Sequence, residues 1–340
     1  MPPSHSNRPS PSNGLPSPEP GRSQPRWARA IGVGISIVSL AAVVWWASRQ
    51  QSPQLPSGGR EVAALVASVL VYAAATLLRG ERWRRLLLDA GGRPSRADAY
   101  AITAIGYMGN NVLPARGGDA MRVYIGAPQT GTGVRATIGT LVAERVLDSV
   151  TLLALFALLA FGILRGIDVP SGDGIALWGG IGAGLVAVIA LVVYLSRQHE
   201  VTRRVLGFVA PMAEATRRLR GRHGLAMVLI TLVIWALEAL TYFAAGASIG
   251  FEMTPLEALY IVAVASIFVL IPSGPGYVGT LDAALLFGAR AVGASGQVAV
   301  SFLLMVRFVL LVPITIAGLV LLLVRYGGGR KWRPQAEASA

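Results

Sequence analysis

Apolar residues are concentrated in long runs that contain few charges. Five of these runs are about long enough to cross a ~30 Å hydrocarbon core as an α-helix, at about 1.5 Å per residue. They span residues 30–47, 62–78, 175–195, 225–249 and 298–324. A sixth run, residues 134–164, is longer and contains Glu144, Arg145 and Asp148. The pattern predicts an all-α polytopic membrane protein with about six full spans.

Two further apolar segments are interrupted at their middle by helix-breaking residues. Segment 100–124 is broken at residues 110–118, which are rich in Asn, Pro and Gly, and segment 256–293 is broken at residues 271–276. Irregular backbone at membrane depth persists only where protein or water satisfies its polar groups. Because the arms before the breaks are short for full spans, we predict two broken re-entrant hairpins. The alternative is an ordinary kinked crossing at each break, which gives eight spans.

The distribution of arginine predicts the orientation in the membrane. Three arginines lie just before the first run, at residues 22–29, six lie between residues 79 and 96, and seven lie between residues 197 and 222. Loops that are rich in Arg and Lys stay in the cytoplasm. Both termini are therefore expected to be cytoplasmic, with the first broken segment starting and ending inside and the second starting and ending outside.

The order of spans and breaks predicts the domain organisation. Residues 1–26 are rich in Pro and Ser and are interpreted as a disordered cytoplasmic tail, residues 27–326 as the transmembrane domain, and residues 327–340 as a second cytoplasmic tail. Residues 62–164 and 225–324 both follow the order span, broken hairpin, span, and enter the membrane from opposite sides. This order indicates an inverted repeat, which in transporters points to a binding site near the midplane.

Composition excludes several classes of protein. The sequence is 54% hydrophobic and 14% charged, with a mean hydropathy of +0.58, which no water-facing globular domain would tolerate. It contains no cysteine, so disulfides and thiolate chemistry are excluded, and its three histidines give no basis for a metal site or a catalytic triad. The net charge of +13 lies beside apolar runs, which favours anionic lipid headgroups over nucleic acid. No cofactor is expected.

Charged residues lie at membrane depth within the predicted spans. They are Glu144, Arg145, Asp148, Glu238 and Arg307. Such charges are costly in lipid and should face the interior of the bundle. In one interpretation they neutralise one another, with Arg145 pairing with Asp148 one helical turn later. In the other they line a polar cavity in which two arginines hold a headgroup phosphate and the carboxylates orient those arginines or meet a headgroup amine.

Two further features bear on a binding site. Helices that restart after Gly118 and Gly276 would aim backbone N–H groups at the same anion. Asp119 opposes a bare anion site there and is expected to cap its helix instead. The motif Arg82-Trp83-Arg84-Arg85 is interpreted as a cytoplasmic interfacial anchor, with arginines reaching into the headgroup region.

Three ordered motifs resemble the lysylphosphatidylglycerol synthase transmembrane family, over about residues 62–324. They read Asn111-x-x-Pro114-x-Arg116-x-Gly118-Asp119-x-x-Arg122, Glu144-Arg145-x-x-Asp148 and Pro272-x-x-Pro275-Gly276-x-x-Gly279-x-x-Asp282. The family's last motif usually reads Pro-Gly-Gly-x-Gly-x-x-Glu, so here Tyr277 replaces the second glycine and Asp282 replaces the glutamate. This departure is expected to narrow the hairpin tip.

The resemblance implies lipid translocation or lipid binding, in a bacterial cytoplasmic (inner) membrane. The sequence shows no counterpart of the soluble aminoacyl-transferase domain that performs synthesis in the full-length family enzyme, so lipid modification is not expected. The predicted substrate is an anionic or aminoacylated phospholipid or a polyprenyl-linked lipid. The residues expected to contact its headgroup are Asn111, Arg116, Asp119, Arg122, Glu144, Arg145, Asp148, Glu238, Ser273, Tyr277, Asp282 and Arg307.

Two other functions remain open at this point. A membrane-embedded headgroup transferase would use Glu144 or Asp148 as a general base beside Arg145. A non-transporting accessory protein would bind lipid, a second copy of itself or a cell-envelope glycosyltransferase.

Overall fold

A computed structural model describes residues 45, 52–113, 116–159, 222–269 and 274–326. The predicted span at residues 175–195, nearly all of the one at 30–47, and both predicted tails lie outside the described residues. The part of the chain that is described forms helices and contains no β-strand. The chain is therefore an all-helical membrane protein, as the apolar runs predicted.

Eight α-helices and one 3₁₀ turn make up the described structure. The first half contains α1 (Gly59–Asp89), α2 (Arg96–Val112), α3 (Gly117–Thr130) and α4 (Val134–Ala157). The second half contains α5 (Arg222–Ala247), α6 (Pro255–Phe268), a 3₁₀ turn (Pro275–Tyr277), α7 (Thr280–Ala291) and α8 (Gly296–Tyr326). The helix that was expected to restart after Gly276 begins only at Thr280, because the 3₁₀ turn intervenes.

Three of the described helices are long and apolar enough to cross a membrane. They are Gly59–Asp89, Gly224–Ala247 and Gly296–Tyr326, which coincide with three of the predicted runs. Large apolar side chains on these helices face away from the protein, for example Leu70 (64% exposed) and Val324 (77% exposed). Such surfaces are compatible with lipid and not with water. The protein is therefore a multi-pass membrane protein.

Local sequence signals fix where several helices begin. The side chain of Ser95 caps α2 by accepting a hydrogen bond from the Asp98 N–H, and Thr254 and Glu257 form a reciprocal capping box at the start of α6. At the start of α1, the Glu61 carboxylate accepts hydrogen bonds from the N–H groups of Ser57 and Gly58. These caps satisfy backbone donors that would otherwise be left without partners at the helix ends.

The end of α1 differs from the sequence prediction. The apolar run ends at residue 78, but the helix continues to Asp89. Arg79 and Arg82 therefore lie on the helix and not in a cytoplasmic loop. Both are buried, on the same face as Tyr72, Ala75 and Leu86.

Each half contains a helical hairpin whose two arms return to the same end. In the first hairpin, α2 and α3, the Arg93 N–H just before α2 donates to the Thr130 carbonyl at the end of α3, at 2.8 Å. In the second hairpin, α6 and α7, Ile261 in the middle of α6 packs against Gly288 in the second half of α7, as in an antiparallel pair. The four arms have 17, 14, 14 and 12 residues. At about 1.5 Å per residue each is shorter than a ~30 Å hydrocarbon core.

The open ends of the two hairpins lie at opposite ends of α8. At its C-terminal end, Arg325 binds Asp98 at the start of the first hairpin, at 2.8 Å. At its N-terminal end, Ser301 accepts a hydrogen bond from the Gln54 N–H ahead of α1, and the short connection from the second hairpin leads into this same end. Because α8 is 31 residues long, about 46 Å, the two hairpins enter the bundle from opposite directions.

The helices of the two halves pack in matching pairs. α1 packs against α5, its counterpart. α2 packs on α8, and its counterpart α6 packs on α4. Within the hairpins, α3 packs on α2 and α7 packs on α6. α1 also contacts α4, as its counterpart α5 contacts α8. In the same way, α1 contacts α8 and α5 contacts α4. Each of these helix pairs thus has a counterpart in the other half, although α2 packs more extensively on α8 than α6 does on α4.

Candidate functional site

The two hairpin breaks meet beside the middle of α8. The guanidinium of Arg116, in the first break, lies over the ring of Tyr277, in the second, at 5.9 Å from the ring centroid. Asn111, at the end of α2, donates its side-chain N–H to the Thr315 hydroxyl of α8, at 3.0 Å. Gly276 lies between Asn111 and Leu311, which is also on α8. The breaks therefore form one junction about midway along α8.

Small residues allow the chain to pass closely through this junction. A Cβ atom on Gly118 would lie 1.8 Å from the Gly106 carbonyl oxygen, so α2 and α3 could not pack as they do with a larger residue there. Gly276 has a φ of +62°, which a glycine adopts without strain. Among the described residues, only Arg116 (φ 57°) and Tyr277 (φ 56°) have a positive φ without being glycine. These two strained residues are the ones that contact each other.

In the first half, an arginine from α4 pairs with an aspartate from α3. Arg145 donates from one nitrogen to both oxygens of Asp119, at 3.2 and 3.4 Å. The Nε of Arg116 is 3.7 Å from the same carboxylate and has no hydrogen-bond partner. The protein leaves 34% of the Arg116 side chain, 35% of Arg145 and 26% of Asp119 uncovered. We call these three residues the cationic cluster, because two guanidinium groups share one carboxylate.

In the second half, an arginine from α8 pairs with an aspartate from α7. The Nε of Arg307 donates to Asp282, and its two terminal nitrogens donate to the carbonyls of Gly276 and Tyr277. The other oxygen of Asp282 accepts a hydrogen bond from the Gly279 N–H, at 2.8 Å, which caps α7. The side chains are 12% and 7% exposed. Arg307 therefore clamps the second break onto α8.

The two pairs occupy corresponding positions. Asp119 and Asp282 are each the third residue of their helix, α3 and α7. Arg145 and Arg307 are each the twelfth residue of their helix, α4 and α8. The carboxylates lie in the first helical turn, where they interact favourably with the helix dipole. Neither helix start is therefore a bare anion site, as the presence of Asp119 had indicated.

A second group of charges is largely enclosed, with only Asp148 partly exposed. Arg82 binds Asp148 with both terminal nitrogens, at 2.6 and 2.9 Å, and also reaches Glu144 at 3.2 Å and the Thr231 hydroxyl at 3.0 Å. Arg122 donates to the other oxygen of Glu144, at 2.8 Å. The side chains of Arg82, Arg122 and Glu144 are at most 2% exposed. Two guanidinium groups and two carboxylates thus balance one another, and the network ties α1, α3, α4 and α5 together.

A third ion pair joins the first helices of the two halves. Arg79 on α1 donates to Glu238 on α5, at 2.7 Å. Its guanidinium lies 5.8 Å from the ring centroid of Tyr107 and 5.7 Å from that of Trp235. This pair is also buried and neutral, so it stabilises the contact between the halves.

Three sequence predictions are wrong at this site. Asp119 does not cap α3, because its side chain makes no capping hydrogen bond and binds Arg145 instead. Arg145 does not pair with Asp148, because Arg82 occupies Asp148 and Arg145 turns to Asp119. Arg82 and Trp83 are not interfacial anchors, since both are fully buried. The Trp83 indole donates to Thr140 and its ring lies under the Arg122 guanidinium, 4.4 Å from the centroid. Arg84 and Arg85 stay partly exposed, where they pair with Glu81.

Sequence reasoning missed Arg79 and Arg82 as partners of the deep carboxylates. A signal was present, because Leu86, Leu87 and Leu88 follow the arginines and indicate that the helix continues. Residues 75, 79, 82 and 86 then fall on one helical face at spacings of three and four. The prediction that Glu144, Glu238 and Arg307 face the bundle interior is confirmed by their burial. Ser273 lies outside the described residues.

Among the described ion pairs at the hairpin breaks and in the buried networks, the cationic cluster is the one with more arginines than carboxylates. The carboxylates of the enclosed network, of the Arg79–Glu238 pair and of the Arg307–Asp282 pair equal their arginines in number. The cationic cluster has two arginines and one aspartate, and it is open to ligands on about a third of its surface. An anion that entered the cluster could bind a guanidinium whose N–H donors are not all engaged by described protein acceptors. Within the described residues, no group of three or more His, Cys, Asp or Glu side chains is arranged to hold a metal ion.

Comparisons with known proteins identify the family of this chain. Residues 29–318 match the family described as the lysylphosphatidylglycerol synthase TM region. The glycosyltransferase AglD of Haloferax volcanii is 24% identical over 77% of this chain, and the chain spans about half of its length, 49%. A UPF0104 membrane protein of Methanothermobacter thermautotrophicus is 22% identical over 82% of this chain and 90% of its own length.

A UPF0104 membrane protein of Methanocaldococcus jannaschii is also 22% identical, over 62% of this chain and 92% of its own length. No solved structure matches the chain. The family match extends over most of the sequence, including all eight described helices except the last turns of α8. The chain therefore belongs to the lysylphosphatidylglycerol synthase transmembrane family.

Proposed function

We propose that this protein binds the headgroup of an anionic or aminoacylated phospholipid, or of a polyprenyl-linked lipid, and moves that lipid across the membrane. The observation that supports this most is the cationic cluster of Arg116, Asp119 and Arg145. It carries an excess positive charge, lies halfway along α4 and is partly uncovered. A charge at this depth is expensive unless it serves a ligand or a partner.

The arrangement of the two halves also supports transport. The hairpins enter from opposite directions, and their breaks meet at the middle of α8. Each pair of packed helices also has a counterpart when the two halves are exchanged. We propose that residues 62–164 and 225–324 are an inverted repeat with two re-entrant hairpins. Transporters with such repeats bind substrate where the broken segments meet and expose that site alternately to the two sides.

A transferase is less compatible with the geometry. The candidate bases, Glu144 and Asp148, are both engaged by Arg82, and Glu144 also binds Arg122. The Glu144 side chain is 1% exposed, so a substrate would not reach it. A general base needs hydrogen-bond access to the proton that it removes.

A second candidate function is to act beside an envelope glycosyltransferase. The observation in its favour is that the Haloferax relative is named a glycosyltransferase and that this chain spans about half of it. In that case the protein would present a polyprenyl-linked lipid to its partner. Cross-linking in native membranes followed by mass spectrometry would test this, with recovery of a glycosyltransferase as the supporting result and recovery of only further copies of this chain as the opposing one.

Lipid binding and transport can be measured on the purified protein. Mass spectrometry of lipid retained in mild detergent should show one anionic class enriched over its share of the host membrane. In vesicles of phosphatidylethanolamine and phosphatidylglycerol, fluorescent phosphatidylglycerol should cross the bilayer faster than in protein-free vesicles, as judged by dithionite quenching. Absence of both enrichment and faster crossing would contradict the proposal. The proposal requires no cofactor or nucleotide, so transport would follow existing gradients.

We also propose that the protein lies in the bacterial cytoplasmic membrane with both termini in the cytoplasm. Because Arg79 and Arg82 are buried, they do not count as loop charges. The cytoplasmic location of the C-terminal end of α1 is therefore inferred from Arg84, Arg85, Arg93 and Arg96. The cysteine-free sequence allows a direct test with single cysteines. Arg93→Cys should react with an impermeant thiol reagent only after cells are opened, and Pro255→Cys should react from outside. The reverse pattern would overturn the orientation.

A further inference from the structure

Tyr277 covers the cationic cluster from the opposite half of the molecule. Its ring lies under the Arg116 guanidinium at 5.9 Å from the centroid, within the range of a cation–π contact. Arg116 belongs to the first hairpin break, and Tyr277 belongs to the second. The ring therefore occupies one face of a guanidinium whose Nε has no hydrogen-bond partner.

The backbone of Tyr277 is held in a conformation that a tyrosine rarely adopts. Its φ is 56°, in the left-handed region where a Cβ is crowded. Arg307 binds the carbonyls of Gly276 and Tyr277 and so holds this turn in place. A strained bulky residue that the surroundings fix against a charged group is a recognised sign of a functional position. Glycine would adopt the same φ without strain, so the backbone conformation alone does not call for a tyrosine. The contribution of Tyr277 therefore lies in its ring.

The chemistry of the cluster defines the ligand that would displace the ring. Two guanidinium groups and one carboxylate, with one positive charge in excess, match a singly charged phosphodiester. The phosphodiester would bind between Arg116 and Arg145. Whatever is attached to it must then pass beside Tyr277. A compact substituent, such as glycerol, needs a smaller movement of the ring than a bulky one, such as inositol.

We propose that Tyr277 determines headgroup specificity, by covering Arg116 and admitting phosphodiesters with compact headgroups in preference to bulky ones. This inference rests on the proposed lipid transport and adds the residue that selects the substrate. Arg307 acts here as a positioning residue, because it holds the turn that carries the ring and does not contact the ligand.

The test compares two lipids of equal charge and different headgroup size. Fluorescent phosphatidylglycerol and phosphatidylinositol are each placed in vesicles of phosphatidylcholine, and their crossing rates are measured for wild type, Tyr277→Gly and Tyr277→Phe. Wild type should move phosphatidylglycerol at least about fivefold faster. Tyr277→Gly should bring the two rates within about twofold by accelerating phosphatidylinositol. Tyr277→Phe, which keeps the ring and the charge contact, should keep the wild-type ratio.

The outcomes separate this inference from the proposed function. A wild type that moves neither lipid faster than protein-free vesicles would contradict lipid transport itself. A wild type that transports, with an unchanged ratio in Tyr277→Gly, would overturn the role of Tyr277 alone. Loss of folding in Tyr277→Gly, seen as a lower unfolding temperature and aggregation in detergent, would also overturn it, because the ring would then be a structural contact between the hairpins.

A soluble phosphate ester shares the chemistry of a lipid headgroup, and thermal unfolding distinguishes them. Phosphatidylglycerol added to the detergent-purified protein should raise its unfolding temperature, and this increase should be smaller in Arg116→Gln. Soluble glycerol phosphate should leave the unfolding temperature unchanged. Equal stabilisation by the soluble ester would show that the site takes free phosphate esters and would overturn the assignment to lipid.

Discussion

The two halves of the molecule place the same ion pair in two different surroundings. In the second half, each nitrogen of the Arg307 guanidinium has a protein acceptor, and Asp282 also caps its own helix. In the first half, the described hydrogen bonds of Arg145 go to Asp119 alone, at 3.2 and 3.4 Å, and about a third of its side chain is uncovered. The Arg307–Asp282 pair is enclosed, and every nitrogen of its guanidinium is hydrogen-bonded. The Arg145 guanidinium has nitrogens with no hydrogen-bond acceptor among the described residues.

This difference supports the proposal that the two arginines at corresponding positions have different roles. A saturated arginine would lose protein hydrogen bonds if it turned to a ligand, so the Arg307 pair is better suited to hold the fold. An arginine with free donors gains charge-assisted hydrogen bonds when an anion arrives. The sequence-based hypothesis that both arginines bind phosphate therefore gains support for Arg145, and the structural interpretation gains support for Arg307.

The largest effect is expected from Arg307→Gln. The change leaves Asp282 as a buried charge without its partner and frees two carbonyls, which should lower the free energy of unfolding by about 3–5 kcal/mol. Thermal unfolding in detergent and the yield of monodisperse protein measure it. Asp282→Asn in the Arg307→Gln background should recover part of the loss, because no unpaired charge remains. A well-folded Arg307→Gln protein that has lost transport would instead assign Arg307 to the ligand.

The next largest effect is expected from Arg145→Gln, and it should fall on transport. A charge-assisted hydrogen bond to phosphate contributes about 1.5–3 kcal/mol, so the rate of lipid crossing should fall about 10- to 150-fold. Unfolding should change little, because the pair with Asp119 is only partly covered.

The double variant Arg145→Gln with Asp119→Asn decides between the two roles of Arg145. If the arginine acts on lipid, the double variant folds well and transport stays low. If transport returns to the wild-type rate, Arg145 is a structural partner of Asp119, and its role in headgroup binding is refuted. The same two measurements, unfolding temperature and crossing rate, apply to both variants.

Much of the fold follows from local physical signals in the sequence. The apolar runs at 62–78, 225–249 and 298–324 correspond to membrane-length helices because hydrophobic length is a local property. The two hairpin breaks could also be predicted from the sequence, since the Pro, Gly and Asn residues that form them tend to interrupt helices. The end of α1 was missed although Leu86, Leu87 and Leu88 indicated that the helix continues, because a buried arginine resembles a loop arginine until its carboxylate partner is known.

The partners within the site depend on tertiary packing and were harder to predict. Asp148 was matched with Arg145 because they lie on the same helix, but Arg82, distant in sequence, has the better geometry. The contact between Arg116 and Tyr277 joins two breaks that are far apart in the chain, and no spacing rule connects them. Candidate residues could thus be named from charge and depth, whereas their pairing required the structure.

A smaller effect is expected from lengthening each aspartate by one methylene. Asp282→Glu must fit an extra carbon between Arg307 and the cap of α7, and overpacking of this kind costs about 1–3 kcal/mol. Asp119→Glu has room to move, because its side chain is 26% uncovered. Its cost should remain below about 0.5 kcal/mol. Paired thermal unfolding measures the contrast, and equal losses would show that the two pairs are held equally tightly.

The smallest effect is expected from Arg84→Gln, which serves as the surface control for Arg145→Gln. Arg84 pairs with Glu81 one turn earlier on α1, where Arg85 and Tyr100 also bind the same carboxylate. Pairs of this kind contribute about 0.2–1 kcal/mol, and here other donors replace the lost one. Crossing rates should change less than about twofold. If Arg84→Gln slowed transport as much as Arg145→Gln, the cause would be the loss of one positive charge from the protein as a whole, and raising the salt concentration would reproduce it in wild type. If salt has little effect on wild type while Arg145→Gln alone is slow, the charge acts locally, in the cluster where the protein leaves a guanidinium open.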